Sequence, residues 1–158
     1  MFTETPKILL RGTPQKSFFD ILASKNIKEL FILEGRGTVG KTSAFCKEIL
    51  KHHITPTFIT DNIAGFLFYQ DLVKEVWVTY QDVKEEGLVS EAGALMLGVL
   101  SRKHRIPLFA VRSKHIVLKI GKPKDILEFF GRTIAPKGTK TFVPLLENLP
   151  KSYAKGIY

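Results

Sequence analysis

Cysteine is nearly absent from this chain, and so are long hydrophobic runs. Cys46 is the single cysteine among 158 residues, so no intrachain disulfide can form and a small disulfide-stabilised fold is excluded. No apolar run approaches the roughly 20 residues of a membrane-spanning helix, which argues against a membrane protein. A charged and apolar leader is also missing at the amino terminus. We therefore predict a cytoplasmic protein without a membrane partner.

Asparagine and glutamine are scarce as well, with three of each, whereas lysine and glutamate are frequent. Thermophile proteins often avoid thermolabile amides in this way, so the composition leans towards a thermophile. Hydrophobic residues make up 44% and charged residues 25% of the chain, which is ordinary for a globular protein. At this length the chain can bury one hydrophobic core. We predict a single domain over residues 1–158.

The positive charge is concentrated in the last third of the chain. The formal net charge is +9, but residues 102–158 contain 13 Lys and Arg against three Asp and Glu, whereas the remaining residues contain 11 against 12. A basic surface attracts phosphate-rich partners such as RNA; a solvated face that keeps the protein soluble is the alternative. The aromatic residues here do not alternate with the basic ones as a base-stacking surface requires.

Short apolar runs alternate with amphipathic segments in the first 111 residues. Continuous apolar runs are typical of buried parallel strands, and apolar residues at helical spacing predict helices. We predict strands at 7–10, 30–33, 57–60, 76–78 and 108–111, and helices at 15–24, 42–52 and 92–103. The alternation predicts an α/β fold, a Rossmann-like parallel sheet with helices on both faces. From about residue 122 we predict a basic, largely extended tail with a short helix near 126–130.

The third predicted strand ends abruptly at an acid. Thr57-Phe58-Ile59-Thr60 is an apolar stretch that we interpret as a buried strand, and Asp61 and Asn62 follow it directly. Open α/β sheets bind their ligands at the carboxyl ends of their strands, so we expect the site around Asp61. The loop after the second strand should reach the same crevice. Alternatively, Asp61 and Asn62 cap the following helix.

A phosphate-binding motif occupies that second loop. Gly35-x-x-x-x-Gly40-Lys41-Thr42 satisfies the P-loop pattern between a strand and a helix. In this interpretation backbone N–H groups hold phosphates, Lys41 reaches the β and γ oxygens, and Thr42 binds magnesium that Asp61 helps to organise. The function would be nucleotide-dependent phosphotransfer. No adenine-specificity element, lid or basic sensor follows Asp61, which weakens this hypothesis.

A much longer part of the chain resembles the carboxyl-terminal domain of the initiation factor 2B family. The resemblance rests on Thr60-Asp61-Asn62-Ile63-Ala64-Gly65, on Val76-Trp77-Val78, and on residues 95–111, 132–138 and 144–150. The family comprises the α, β and δ subunits of translation initiation factor 2B, methylthioribose-1-phosphate isomerase and ribose-1,5-bisphosphate isomerase. Its separate helical amino-terminal domain has no counterpart here. The resemblance implies a Rossmann-like domain that self-associates as a homodimer.

The resemblance also implies site residues. In an isomerase, Asp61 would be the catalytic acid or base that assists the transfer of a proton or hydride between adjacent sugar carbons. An acid-x-Arg loop would be formed by Glu34 and Arg36 and closed by a glycine. The ligand- or phosphate-binding residues that the resemblance implies are Glu34, Arg36, Gly40, Lys41, Asn62 and Glu147, and the P-loop interpretation adds Thr42. The ligand would be a phosphorylated sugar or a nucleotide.

Two segments depart from the isomerases at positions that matter for catalysis. The family enzymes carry a catalytic cysteine just after the first strand, where this chain reads Leu10-Arg11-Gly12-Thr13. Their substrate-contacting Asn-Lys pair is replaced around Ser90-Glu91-Ala92, and an acid such as Glu91 should repel a phosphate. Cys46 cannot replace the lost thiol, because it lies mid-helix beside Phe45, where we expect a buried, inert side chain.

We therefore predict an initiation factor 2B-like binding or regulatory module with a degenerate phosphosugar pocket. A sugar-phosphate isomerase that uses Asp61, and a phosphotransferase that uses Lys41 and Thr42, are the alternatives. The partner would be a translation-factor protein or RNA, held through the basic carboxyl third. We expect no cofactor and no metal site, because the four histidines lack the spacing of a ligand set.

Overall fold

The computed structural model describes residues 7–129 and 131–158. Strands and helices alternate as far as β6, except that β5 follows β4 directly, and shorter elements follow. The strands are β1 (Lys7–Arg11), β2 (Glu29–Leu33), β3 (Thr55–Ile59), β4 (Val73–Val83), β5 (Leu88–Glu91), β6 (Leu108–Arg112), β7 (Glu128–Phe129), β8 (Arg132–Thr133), β9 (Leu146–Leu149) and β10 (Gly156–Ile157). The helices are α1 (Ser17–Ser24), α2 (Val39–Lys51), α3 (Ala64–Tyr69), α4 (Ala94–His104) and α5 (Lys124–Leu127), with 3₁₀ turns at Asp61–Ile63 and Lys151–Tyr153.

The main sheet has the strand order β10-β6-β4-β1-β2-β3, and neighbours along this path are parallel. The chain runs from β1 outward to β3, then returns to the other side of β1 to form β4 and β6. The direction of winding therefore changes between β1 and β4, and ligands of such sheets bind at this switch point. The predicted α/β, Rossmann-like fold is confirmed.

Helices cover both faces of the sheet, as expected. On one face α1 and α2 bury Phe18, Leu22 and Phe45 against the sheet. On the other face α3 and α4 bury Phe68 and Leu97. Trp77 is buried in β4. In the described part of the chain, no helix combines the length and the apolar character that crossing a membrane requires.

Two expectations about individual elements need correction. The stretch before Asp61 is parallel but not buried, since β3 is the edge strand and Phe58 is 45% exposed. Ser90 and Glu91 lie in a strand that was not predicted, because β5 pairs antiparallel with both β4 and β9. The sheet is consequently mixed. Cys46 is half-buried rather than buried, and this partial burial raises the pKa of its thiol.

Candidate functional site

A buried ion pair lies at the switch point. Arg11 ends β1 and is 3% exposed, Glu91 ends β5 and is 4% exposed, and Arg11 Nη1 lies 3.0 Å from Glu91 Oε2. Arg11 Nε donates a hydrogen bond to the Ala92 carbonyl at 2.9 Å. The Thr38 hydroxyl donates to the same Glu91 oxygen at 3.0 Å. These contacts join β1, β5 and the loop before α2 where the parallel strands end.

The pair corrects the expectation that Glu91 would repel a phosphate. Its carboxylate is shielded from solvent and neutralised by Arg11. A carboxylate is tolerated at this depth only when it is paired, because desolvating an isolated charge is unfavourable. The second oxygen, Oε1, has no hydrogen-bond partner among the described residues. Arg11 and Thr38 therefore offset the unfavourable desolvation of the Glu91 carboxylate through Oε2 alone.

Two glycines let the backbone pass close to this pair. Gly12 has a φ of +96°, and a Cβ at this position would lie 1.9 Å from Thr79 Oγ1 on β4. Gly35 has a φ of +62°, and its Cβ would lie 2.5 Å from Arg11 Nη1. Both positions require glycine because the backbone is left-handed and because there is no room for a side chain. The loop after β2 consequently rests on the Arg11 guanidinium.

Asp61 follows β3 and holds the neighbouring loop. Its Oδ1 accepts a hydrogen bond from the Gly35 N–H at 3.0 Å, and its Oδ2 accepts one from the Arg36 N–H at 3.2 Å. Asn62 Oδ1 accepts a hydrogen bond from the Thr60 hydroxyl at 2.7 Å. Two predicted strand ends thus meet at Asp61. The carboxylate anchors the loop after β2, and it does not serve merely as a cap for the helix that follows.

Glu34 and Asp61 are neighbouring acids beside this loop. Partial burial raises the pKa of Glu34, the Asp61 carboxylate raises it further, and Arg36 lowers it. The Glu34 N–H donates to the Ile59 carbonyl at 2.8 Å, which fixes its backbone beside β3. Because the raised pKa means that folding disfavours the charged form, ionised Glu34 reduces stability.

Glu34→Gln is expected to stabilise the protein at about pH 7, by less than about 1 kcal/mol because the side chain is partly exposed to solvent. The folded pKa is raised, so the penalty of Glu34 is absent below its unfolded pKa and develops as the pH rises through the folded pKa. The advantage of the variant should therefore disappear on acidification. Urea denaturation at a series of pH values measures this difference.

Glu48→Gln is a control whose expected effect on stability is opposite to that of Glu34→Gln. Lys114 Nζ donates to Glu48 at 2.7 Å, and this hydrogen bond lowers the pKa of the carboxyl group. Its stabilising contribution is present above the unfolded pKa and is lost as the pH falls through the folded pKa. Glu48→Gln should destabilise the protein at neutral pH and become neutral in acid. A Glu34→Gln variant that behaved in the same way would contradict the assigned environment of Glu34.

A cleft of about 840 Å³ opens beside the loop after β2. Its walls are this loop, the start of α2, Phe58 of β3 and the α5–β7 segment. Arg36 joins the tail to the loop, since Nε and Nη2 donate to the carbonyls of Asp125 and Glu128, each at 3.4 Å. Its guanidinium also lies 4.7 Å from the centre of the Phe129 ring. The tail therefore forms part of the cleft.

The P-loop-like residues do not form a phosphate-binding arrangement around the cleft. Lys41 lines the cleft, but its Nζ donates to the Ile116 carbonyl at 3.3 Å. Thr42 is 1% exposed and is not among the lining residues, and its hydroxyl has no partner in the described part of the chain. The two amides at the start of the loop are already bonded to Asp61. Gly40 lies in the first turn of α2, where a Cβ would meet nothing within 4 Å.

Glu147 lies away from the cleft. Its Oε1 accepts hydrogen bonds from the N–H groups of Gly93 at 2.8 Å and Leu95 at 2.7 Å, so it caps the amino terminus of α4. Of the predicted binding residues, the cleft brings together Glu34, Arg36, Gly40 and Lys41. Thr42, Asn62 and Glu147 do not line it.

Sequence reasoning missed the network that centres on Glu91. It noted the segments around Arg11 and Glu91 as separate departures from the isomerases, and it gave Thr38 no role. Arg11 is 80 positions from Glu91 in sequence, and Thr38 is 53 positions away, so no local pattern connects them. Within the described ranges, no group of His, Cys, Asp and Glu side chains is placed to hold a metal ion.

Comparison with known proteins identifies relatives at moderate identity. Methylthioribose-1-phosphate isomerase from Desulfitobacterium hafniense is 30% identical over 122 residues, which cover 70% of this chain and 35% of that protein. The enzyme of the same name from Thermus thermophilus is 24% identical over 158 residues, which cover 92% of this chain and 48% of that protein. The chain thus spans about a third to a half of these relatives.

Solved structures share the fold. The δ subunit of translation initiation factor eIF-2B from A. fulgidus superposes with a TM-score of 0.81 at 16% identity, covering 98% of this chain and 52% of that one. The 5-methylthioribose 1-phosphate isomerase from Pyrococcus horikoshii OT3 gives a TM-score of 0.80 at 24% identity, covering 96% and 49%. At these identities the likeness establishes the architecture alone.

A sequence model of a whole family matches most of the chain. The model describes the initiation factor 2 subunit family, and the match extends over residues 20–157. It therefore includes the Asp61 segment, the Glu91 strand and the tail that lines the cleft. The chain belongs to the initiation factor 2 subunit family.

Proposed function

We propose that this chain is a binding or regulatory module of its family, similar to an initiation factor 2B subunit, and not an active sugar-phosphate isomerase. The observation that carries the proposal is the buried Arg11–Glu91 pair. Arg11 lies in the segment where the resemblance places the catalytic cysteine of the isomerases, and Glu91 lies where it places their substrate-contacting lysine. The two positions are committed to each other, so neither a thiol nor a free cation is available at the switch point.

The environment of Asp61 supports the same proposal. A general acid or base must lie within hydrogen-bond reach of the proton that it transfers, and Asp61 is not among the residues that line the cleft. Both Asp61 oxygens accept hydrogen bonds from backbone amides of the loop after β2. Cys46 supplies no replacement nucleophile, because α2 packs its side chain against the core and partial burial raises the pKa of the thiol.

The ligand that suits the remaining cleft is a phosphorylated sugar or a nucleotide. The uncapped amino terminus of α2 faces the cleft through Val39 and Gly40, and free N–H groups at a helix start favour anions. Lys41 and Lys124 add positive charge to the lining, and Phe58 adds an apolar wall. Binding without turnover is the role that these features support. Phosphotransfer is less well supported, because the Thr42 hydroxyl is buried away from the cleft.

The proposed macromolecular partner is a translation-factor protein or RNA, bound through the basic carboxyl third. We also propose a homodimer. Its support within this chain is a set of exposed apolar side chains on the neighbouring helices α3 and α4, among them Phe66, Tyr69 and Val99. Exposed apolar side chains on adjacent elements are typical of a protein contact surface.

An isomerase assay tests the proposal. The purified chain, at high concentration, is incubated with methylthioribose 1-phosphate and with ribose 1,5-bisphosphate, and we expect no conversion of either compound. Asp61→Asn serves as the matched control, since turnover that persists in this variant comes from a contaminant. Turnover that Asp61→Asn abolishes would overturn the proposal and restore the isomerase. Thermal stabilisation by a phosphosugar without turnover would support the binding module directly.

A further inference from the structure

A second pocket lies at the opposite end of the sheet from the cleft beside the loop after β2. It has a volume of about 340 Å³ and is formed where α4 ends and β6 begins. Because β6 is parallel to β4, the start of β6 points away from the carboxyl ends that form the crevice. Residues 152–155 complete the pocket, and the Lys155 N–H fixes them to β6 by donating to the Leu108 carbonyl at 2.7 Å.

Three of the side chains around this pocket are basic. Arg102 and Arg105 come from the end of α4, Lys155 comes from the carboxyl-terminal segment, and none of the described lining residues is acidic. None of these three cations forms an ion pair with a described residue. Basic residues in the last turn of a helix offset its dipole, but this does not account for Lys155, which belongs to another segment.

The pocket wall is held in place by packing. The Arg102 guanidinium lies 4.8 Å from the centre of the Tyr153 ring. Tyr153 itself lies against α4, since a Cβ at Gly98 would be 2.5 Å from its Cδ2 atom. One of the three cations is therefore already positioned, and the segment that carries Lys155 is docked on the helix. A positioned set of donors binds a ligand with less loss of conformational entropy.

Ser101 is an unpaired polar group at the same place. It is 2% exposed and is one of the residues that line the pocket, and its hydroxyl has no hydrogen-bond partner among the described residues. A buried hydroxyl without a partner is unfavourable, and such groups in native proteins call for an explanation. An acceptor bound in the pocket would provide one if the side chain rotates to turn its hydroxyl into the pocket. An oxyanion matches both the hydroxyl and the surrounding cations.

We propose that this pocket binds a phosphate group, either as inorganic phosphate or as the phosphomonoester end of a small molecule. Phosphate oxygens accept hydrogen bonds from guanidinium, ammonium and hydroxyl donors, and charge-assisted bonds of this type are strong. The volume is at the lower end of the range of about 300–1,000 Å³ that is typical of ligand pockets, which favours a small ligand over a polymer. The site is independent of the cleft beside the loop after β2.

An NMR titration of the ¹⁵N-labelled chain tests the site. Inorganic phosphate is compared with chloride at equal ionic strength, and we expect phosphate-specific shifts of the Arg105 and Lys155 amides. The amides of Gly37 and Gly40 report separately on the other cleft. A simple phosphomonoester, glycerol 3-phosphate, is titrated in parallel. Tighter binding of the ester assigns the site to an organic phosphate, equal binding assigns it to phosphate itself, and both results support the proposal.

Two variants and a control make the test specific. Arg105→Gly should weaken phosphate binding by about tenfold, as expected for the loss of one charge-assisted contact. Arg105 has a φ of +57° at the end of α4, so glycine suits its backbone and should raise the melting temperature without ligand. Ser101→Ala should also weaken binding while it stabilises the free protein. Lys103→Ala removes a charge from the same turn outside the pocket, and should change binding by less than about twofold.

Three outcomes would overturn the proposal. The first is the absence of phosphate-specific shifts at Arg105 and Lys155. The second is equal weakening by Lys103→Ala and Arg105→Gly, which would reveal general attraction by the basic surface. The third is an RNA oligonucleotide that shifts these amides while glycerol 3-phosphate does not, which would identify a nucleic-acid surface instead of a small-ligand site.

Discussion

Arg11→Ala is expected to lower the free energy of unfolding by about 3–5 kcal/mol, because it leaves the Glu91 carboxylate buried without its partner. Glu91 is 4% exposed, so water cannot readily replace the lost guanidinium. The variant also removes the hydrogen bond from Arg11 Nε to the Ala92 carbonyl. Urea denaturation followed by circular dichroism measures the loss.

The double variant Arg11→Met/Glu91→Leu should recover most of this loss, because replacing both members of a buried pair by apolar residues is often neutral or stabilising. Lys114→Ala is the control for an exposed ion pair, since Lys114 contacts Glu48 at 2.7 Å and both side chains are partly solvated. This variant should lower the free energy of unfolding by less than about 1 kcal/mol. If Arg11→Ala lowered the free energy of unfolding as little as Lys114→Ala, solvent would reach the Arg11–Glu91 pair. The pair would then not close the switch point to a ligand.

Gly12→Ala should destabilise the protein by about 2–6 kcal/mol, the sum expected from a strained left-handed residue and from overpacking. The new Cβ would lie 1.9 Å from Thr79 Oγ1, and Thr79 is held in the sheet because β4 pairs with β6 at this position. The backbone φ of +96° is unfavourable for alanine whatever the available space. Chemical denaturation of the variant checks the prediction.

Gly40→Ala is the matched control for this substitution. Gly40 lies in the first turn of α2, and a Cβ there would meet nothing within 4 Å. The change should be neutral or should stabilise the protein by up to about 1 kcal/mol through helix propensity. In Gly12→Ala/Thr79→Ala, the steric part of the loss should be recovered and the backbone part should remain. Full recovery in the double variant would show that the strain at Gly12 has little weight.

The positions of the main elements were predictable because they follow from local pattern. The apolar runs at β1, β2 and β6 and the helical spacing in α1 and α2 report burial against a sheet, whatever the partners are. The position of Asp61 at a carboxyl strand end follows from the same pattern. Phe58 shows the limit of this reasoning: an apolar run does not distinguish a central strand from an edge strand, because edge position is set by which strands pair.

Contacts between segments that are distant in sequence explain the other differences between the predicted and the observed structure. Leu88–Glu91 forms a strand because β4 continues past the end of the core and because β9 returns from the tail to pair with it. Glu147 resembles a site acid in sequence, but the amino terminus of α4 is within its reach and captures it as a cap. Neither the β5 strand nor the capping role of Glu147 is indicated by the local sequence around it.

The sequence by itself determined the α/β class, the family resemblance and the meeting of two loops around Asp61, since each depends on residues close together along the chain. Only the tertiary structure decided which contacts those residues make. It pairs Arg11 with Glu91 across 80 positions, commits both Asp61 oxygens to backbone amides and turns the Thr42 hydroxyl into the interior. Burial and hydrogen bonding between distant segments determine whether a charged or polar side chain is available for chemistry, and these are properties of the folded chain.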